Sequence, residues 1–338
     1  MQNNNLNINT LDSIQGGVKT NSNERINYID IARGIGIIGV AWIHTSPPAW
    51  LTPDIVNSIF FFLSGIFFKP KPLQNVLKKW IRTLIIPFLF FYLLSYPFRV
   101  LMHFWDTRTL ETFNWLCLFD IFKIEERSDY LFVNVPLWFI LCLLMIQAIY
   151  SLLQQLDQRI LFILALLCIL FKDILLNFPS PFMINNALYW INFYIMGHLF
   201  GKKILRLLQD SKKRLYFTGT VLTLYALFIL PFFKINSYIP ANLLHHAYLY
   251  TIILSLISLS SFFNRDSSLK TIRFFGINSL IVLGIHILFE IPLKRIEYSL
   301  LHEHTLIISI IITAITLFLC YHFAIWANKH IPHLVGKS

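Results

Sequence analysis

Apolar runs recur along almost the whole chain. They fall at about residues 29–45, 55–68, 84–101, 135–153, 160–176, 187–204, 215–233, 242–263, 275–293 and 306–326. A helix crossing the hydrocarbon core takes roughly 20 residues, with a range of about 17–25. The pattern therefore predicts an all-α, polytopic membrane bundle of about ten transmembrane helices. The first run carries Asp30 and Arg33, and the second is short enough that it could be re-entrant. Residues 1–24 are polar and rich in Asn, with no apolar period, and read as a disordered cytoplasmic tail. They are not a signal peptide, because no clear small-residue cleavage site follows the first apolar run and further spans come after it. The expected organisation is thus a tail over 1–24, a ten-helix membrane domain over 25–327, and a short cytoplasmic tail over 328–338. No internal repeat and no Gly-rich nucleotide loop interrupts it.

Composition excludes a soluble domain. Charged residues make up 13% of the chain and hydrophobic ones 56%, against about 25% charged in soluble domains. In lipid the exposed surface should be apolar, which suits this balance. The net charge of +11 has no basic domain or tail behind it, so nucleic acid is set aside. Its distribution follows the positive-inside rule instead. With an N-in start, the cytoplasmic segments hold Lys19, Arg25, Arg33, Lys69, Lys71, Lys78, Lys79, Arg82, Arg159, Lys202, Lys203, Arg206, Lys212, Lys213, Arg214, Arg265, Lys270, Arg273, Lys329 and Lys337. That is 20 of the 28 Lys and Arg. Dropping one of the first two spans would flip every later loop and scramble the bias, so the charges favour ten spans with both termini inside. Cys142, Cys168 and Cys320 lie in apolar runs and Cys117 stands alone in a loop, which leaves no disulfide framework and no metal-type pair.

Ionisable groups inside spans are costly, and their default reading is functional. Arg33 and His44 are eleven residues apart. At 100° per residue that is about 20° beyond three turns, so the two share a helix face about 16 Å apart along the axis. Asp30, three residues before Arg33, can pair with it. The plainer reading is a snorkelling arginine and a hydrogen-bonded interior histidine. His286 and Glu290 stand at i and i+4 in the ninth run, near mid-depth. A carboxylate beside an imidazole would fix its tautomer and raise its basicity; a neutral pair closing helix packing is the alternative. His198, His245 and His246 are weaker candidates, and His302 and His304 make a poor metal signal, so no metal is expected.

Lys78, Lys79 and Arg82 form a compact cation cluster before the third run. Lys and Arg suit phosphates, one as a point charge and the other as a fork, although topological anchoring would also place them here. Trp105, Trp115, Tyr130 and Trp138 gather on the outer side. They could stack on sugar rings or simply form an interfacial aromatic belt.

The sequence Tyr28-Ile29-Asp30-Ile31-Ala32-Arg33-Gly34, followed by His44, resembles the opening of the acyltransferase-3 family of membrane O-acyltransferases, whose hallmark is an Arg, ten residues and a His. Phe60-Phe61-Phe62-Leu63-Ser64-Gly65 resembles the family's second-span motif. Lys79-Trp80-Ile81-Arg82, followed by Pro87-Phe88, resembles its basic segment, which in family members carries two Arg; here the first position is Lys. Pro136-Leu137-Trp138-Phe139 is similar to the fourth-span motif of the fucose-4-O-acetylase-like branch. Phe275-Gly276-Ile277-Asn278-Ser279-Leu280, leading to His286, resembles the late-span pattern. The likeness covers about residues 25–325.

That resemblance implies transfer of an acyl group, usually acetyl, from cytoplasmic acyl-CoA to a hydroxyl of an extracytoplasmic glycan, by a stand-alone transferase of the bacterial cytoplasmic (inner) membrane. His44 would be the general base or a transient acyl carrier, and Arg33, with Asp30, would bind the donor or polarise its thioester. His286 and Glu290 would orient or relay a proton. Lys78, Lys79, Arg82 and Arg33 would hold the donor, while Trp105, Trp115, Tyr130 and Trp138 would meet the sugar. The partners implied are acyl-CoA, a glycan such as O-antigen, capsule or exopolysaccharide, and the bilayer. Two other classes stay open at this point: a ten-span exporter of a glycan or lipid-linked sugar, which needs no CoA site, and a non-catalytic assembly subunit, which would tolerate loss of His44.

Overall fold

Hydrocarbon offers no partner to backbone N–H and C=O groups, so an apolar chain of this kind must satisfy them within helices. The computed structural model describes residues 26–47, 56–70, 73–123, 133–229, 241–264, 269–301 and 305–337. Among these are thirteen α-helices and no strand. They are α1 (Asn27–His44), α2 (Ser58–Ile66), α3 (Leu73–Trp80), α4 (Ile86–Thr107), α5 (Trp138–Leu153), α6 (Gln158–Leu170), α7 (Lys172–Leu176), α8 (Ile184–Gln209), α9 (Ser211–Ile229), α10 (Ala241–Phe262), α11 (Lys270–Ile277), α12 (Ser279–Leu301) and α13 (Leu306–His330). A π turn, Ile81–Ile85, joins α3 to α4, and a 3₁₀ helix, Trp115–Phe122, lies between α4 and α5. The chain is an all-α membrane bundle.

Each of the ten apolar runs contains a helix, but the helices are not alike. Four are long and apolar enough to cross a membrane: Val76–Thr107, Val135–Leu153, Ala241–Phe262 and Leu306–His330. A fifth results if α11 and α12 make one bent span. With nine residues, α2 rises about 14 Å, less than half of an about 30 Å core. The ninth run was expected as one helix, and the structure corrects this: α11 and α12 meet at an angle of 91°. Asn278 stands at the break. Its Nδ2 donates to the Phe274 carbonyl at 2.9 Å, and its Oδ1 accepts from Asn328 Nδ2 of α13 at 2.8 Å. An asparagine that ties up its own preceding turn in this way competes with helix continuation.

Two small-residue crossings hold the bundle together. Gly34 of α1 lies against the Ile272 carbonyl of α11, and Gly276 against the Asp30 carbonyl. Gly65 of α2 and Gly197 of α8 similarly meet the carbonyls of Tyr194 and Phe62. In each case a Cβ would collide with backbone, so the helices approach more closely than any larger residue allows. One crossing gathers α10, α12 and α13 around α1; the other gathers α2, α5, α6 and α9 around α8.

The two ends of the bundle differ chemically. At one end Asn264, after α10, receives the Tyr28 N–H of α1 at 3.3 Å, and Arg214 Nη1 donates to the Ser261 carbonyl at 3.3 Å. Lys337 reaches the Ile277 carbonyl at 2.8 Å, next to the crossing of Gly276 with Asp30. At the other end Arg295 pairs with Asp106, and the Tyr96 hydroxyl donates to the Trp115 carbonyl at 3.0 Å.

Candidate active site

His44 closes the last turn of α1, where helix carbonyls lack intrahelical partners. The His44 carbonyl accepts from Lys294 Nζ of α12 at 3.0 Å, and the same amine donates to Ser46 Oγ at 2.8 Å. Thr45 and α13 join here: Ser309 Oγ donates to the Thr45 carbonyl at 3.4 Å, and Thr313 Oγ1 lies 3.3 Å from Thr45 Oγ1. These contacts fix the end of α1 against α12 and α13. They bring the His44 ring to 5.2 Å from the His286 ring, centroid to centroid, at an interplanar angle of 47°.

His286 is fully buried, about 10 Å along α12 from its start at Ser279 and about 14 Å from Arg295. Its Nδ1 lies 2.9 Å from the Val282 carbonyl and 3.1 Å from that of Leu283. A carbonyl can only accept, so Nδ1 carries the proton and Nε2 keeps its lone pair. That Nε2 is buried with no hydrogen-bond partner among the described residues. The sequence pointed to Glu290 as the group that sets this tautomer; here the helix's own carbonyls do so. Glu290 is 1% exposed, and its Oε2 has no hydrogen-bond partner among the described residues. Lys294 lies within electrostatic range of both Glu290 and His44. His286, Glu290 and Lys294 thus form a polar stripe at i, i+4 and i+8 on α12. The stripe is a readable spacing, and Lys294 is not among the twenty basic residues that the charge pattern assigns to the cytoplasm.

A second missed group comes from the segment between the 3₁₀ helix and α5. Asn134 is buried, and its Nδ2 donates to Ser95 Oγ of α4 at 2.8 Å and to the Gly284 carbonyl of α12 at 2.9 Å. Its Oδ1 is buried and has no hydrogen-bond partner among the described residues. Non-helical backbone is tolerated at membrane depth only when buried in protein, and this segment meets α12 two residues from His286. No spacing announces an asparagine two residues before Pro136. The same stretch leads into Trp138, which packs on Trp190 of α8 at 6.3 Å and not on the other candidate tryptophans.

The remaining candidates divide between the ends. Arg33 Nη1 lies 3.7 Å from Asp30 Oδ1, with the carboxylate buried and the guanidinium partly exposed. Lys78, Lys79 and Arg82 are exposed around the end of α3 and the π turn, while Trp80 between them is buried. The backbone links these two sets through Gly276, Ile277 and Lys337, so Arg33 and Arg82 lie at one end of the bundle. Trp105 and Trp115, both exposed, belong to the opposite end with Asp106. Tyr130 lies outside the described residues.

Fold and site together define a multi-pass, all-α membrane protein with two histidines facing each other inside the bundle, between a cationic end and an end bearing exposed tryptophans. A family model described as an acyltransferase domain matches residues 26–325, and the chain belongs to the acyltransferase-3 family: it is a membrane acyltransferase. No curated protein and no solved structure matches it.

Proposed function

We propose that this protein transfers an acyl group, acetyl by preference, from cytoplasmic acyl-CoA to a hydroxyl of an extracytoplasmic glycan such as O-antigen, capsule or exopolysaccharide, from the bacterial cytoplasmic membrane. Pro136-Leu137-Trp138-Phe139 supports kinship with the fucose-4-O-acetylase-like branch. The observation that carries this reading is the meeting of His44 and His286 between two chemically unlike ends. The donor's phosphates would lie at the end with Lys78, Lys79 and Arg82, and Arg33 would bind the donor between that end and His44. The sugar would approach from the end with Trp105 and Trp115, with Tyr130 and Trp138 as further contacts.

His44 acts as general base. It takes the proton of the acceptor hydroxyl as the oxygen attacks the thioester carbonyl; the carbon–oxygen bond forms, the carbon–sulfur bond breaks, and the thiolate leaves to recover the proton. His286, with its Nε2 lone pair held ready, accepts a hydrogen bond that orients the His44 ring or the incoming hydroxyl. General base catalysis requires such geometry before anything else. Glu290 and Lys294 set the charge balance beside the pair.

The test is acyl transfer from labelled acetyl-CoA to envelope glycan, in membranes of equal protein content. Wild type should label the glycan and His44→Ala should not, with the ester lost from surface glycans by mass spectrometry. Undiminished transfer in His44→Ala would remove the basis of the enzyme reading and favour an exporter.

A further inference from the structure

The family match ends at residue 325, yet the chain beyond it is built into the bundle. After α13, residues 331–337 form a closed turn: the Val335 and Lys337 N–H groups donate to the Pro332 carbonyl at 3.3 and 2.9 Å. Val335 is buried in the core. Gly336 adopts a positive φ of 76° and sits against the Pro87 ring and the Thr83 carbonyl, where a Cβ would lie 3.1 and 3.3 Å from them. Lys337 Nζ donates to the Ile277 carbonyl, at the break between α11 and α12. The segment therefore packs on the π turn, a kind of irregularity often found at functional sites.

Between the segment and the turn lies a cavity of about 350 Å³, lined by Arg82, Thr83, Ile86, His333, Gly336 and Lys337. Its size falls in the about 300–1,000 Å³ range of small-molecule sites. Three of the six lining residues are basic, and none is acidic. Guanidinium, ammonium and imidazole donors around one space suit a phosphate group.

We propose that the C-terminal segment completes a phosphate-binding cavity, in which His333 and Lys337 act with Arg82. Taking the acyl donor's phosphates as the occupant rests on the acyl-CoA reading above; the share held by the C-terminal segment is the new element. Lys337 also ties the cavity to Ile277, nine residues before His286 on the bent pair. Gly336, which lines the cavity, also sits against the Leu280 side chain in the first turn of the helix that carries the second histidine.

The experiment uses the full chain in neutral-lipid nanodiscs, with CoA, dephospho-CoA, inorganic pyrophosphate and phosphatidylglycerol as separate probes. His333→Gln is the cleanest variant, because His333 lines the cavity without the Ile277 contact. Lys337→Gln and Lys337→Arg separate charge from anchoring, and thermal unfolding reports whether each variant is folded. Wild type should bind CoA more weakly as salt rises. His333→Gln, Lys337→Gln and Arg82→Gln should each weaken binding by about ten- to a hundredfold, as expected for loss of a charge-assisted hydrogen bond. Lys337→Arg should stay near wild type. CoA binding unchanged in folded His333→Gln and Lys337→Gln, but weakened in Arg82→Gln, would overturn the inference and leave the acyl-CoA reading standing. Pyrophosphate binding that follows the variants, with no CoA binding in wild type, would uphold the cavity and defeat the acyl-CoA reading. Variant-dependent binding of phosphatidylglycerol alone would overturn the donor as occupant and assign the phosphate to a lipid headgroup.

Discussion

At His44 the distinction between chemistry and packing comes down to what replaces the ring. His44→Ala removes both the base and the contact with His286; His44→Asn keeps some hydrogen bonding but cannot take a proton near neutral pH. A catalytic histidine should lose activity with either, by about 10²–10⁴-fold, while protein level and CoA binding stay near wild type. A packing histidine would tolerate Asn better than Ala and fail by reduced abundance. Arg33→Lys keeps the charge but not the planar fork, so donor use should suffer more than abundance. Asn134 makes a different prediction. Its Nδ2 bridges Ser95 and Gly284, so Asn134→Ala leaves a buried carbonyl and hydroxyl without that donor. The expected cost is about 1–3 kcal/mol, read as a lower unfolding midpoint in detergent. If Asn134 also orients the acceptor hydroxyl, Asn134→Asp, which keeps the shape but alters the donors, should lower transfer at unchanged CoA affinity.

At the scale of elements, the crossing of α1 with α11 is the most sensitive joint. A Cβ at Gly34 or Gly276 would meet a backbone carbonyl, not a flexible side chain, so even Gly34→Ala forces the helices apart. Overpacking of this kind costs about 1–3 kcal/mol, and here it also displaces Asp30 and Arg33. Gly34→Ala should therefore lose folded protein in detergent, with any surviving fraction impaired in donor use; an unaffected unfolding midpoint would show that the crossing is looser than described. Gly219 of α9, with open space around it, serves as the control and should accept Ala without loss. These elements also show what the sequence could and could not reveal. Apolar runs disclosed where helices lie, because lipid leaves the backbone no other way to satisfy itself. Arg33 and His44 were legible because they share one helix and its 3.6-residue period. The break at Asn278 was not, since it depends on Asn328, fifty residues away. The meeting of His44 with His286, and the return of residues 331–337 to the π turn, are likewise contacts between distant stretches that no local period encodes.

For the molecule as a whole, the ends of the helices constrain how the chain crosses. By length α2 is shorter than a span, but the ends of its neighbours place the stretch that contains it. Helix α1 begins beside Asn264 and finishes at His44, held by Lys294 next to the Arg295 and Asp106 pair. By Arg82 the chain is back beside Lys337 and Ile277. The stretch containing α2 therefore returns the chain from one end to the other, as a second crossing would. Helix α4 then runs from the π turn to Asp106, and α13 from Ser309, near Thr45, back to the Lys337 end. This alternation concerns α1, the α2 stretch, α4 and α13; the proposed ten-span, N-in arrangement rests on the charge pattern, which would put 20 of 28 basic residues on the cytoplasmic side. Single cysteines introduced into a chain whose four native cysteines are replaced would test it. At Lys203, Lys212 and Lys337 they should react with a membrane-impermeant maleimide only after permeabilisation; at Thr109 and Trp115 they should react in intact cells. Labelling of positions 203 and 212 from outside, with a cysteine introduced at position 79 protected, would mean an odd number of crossings between them. The ten-span arrangement would fall, and with it the assignment of the cationic end to the side where acyl-CoA is made.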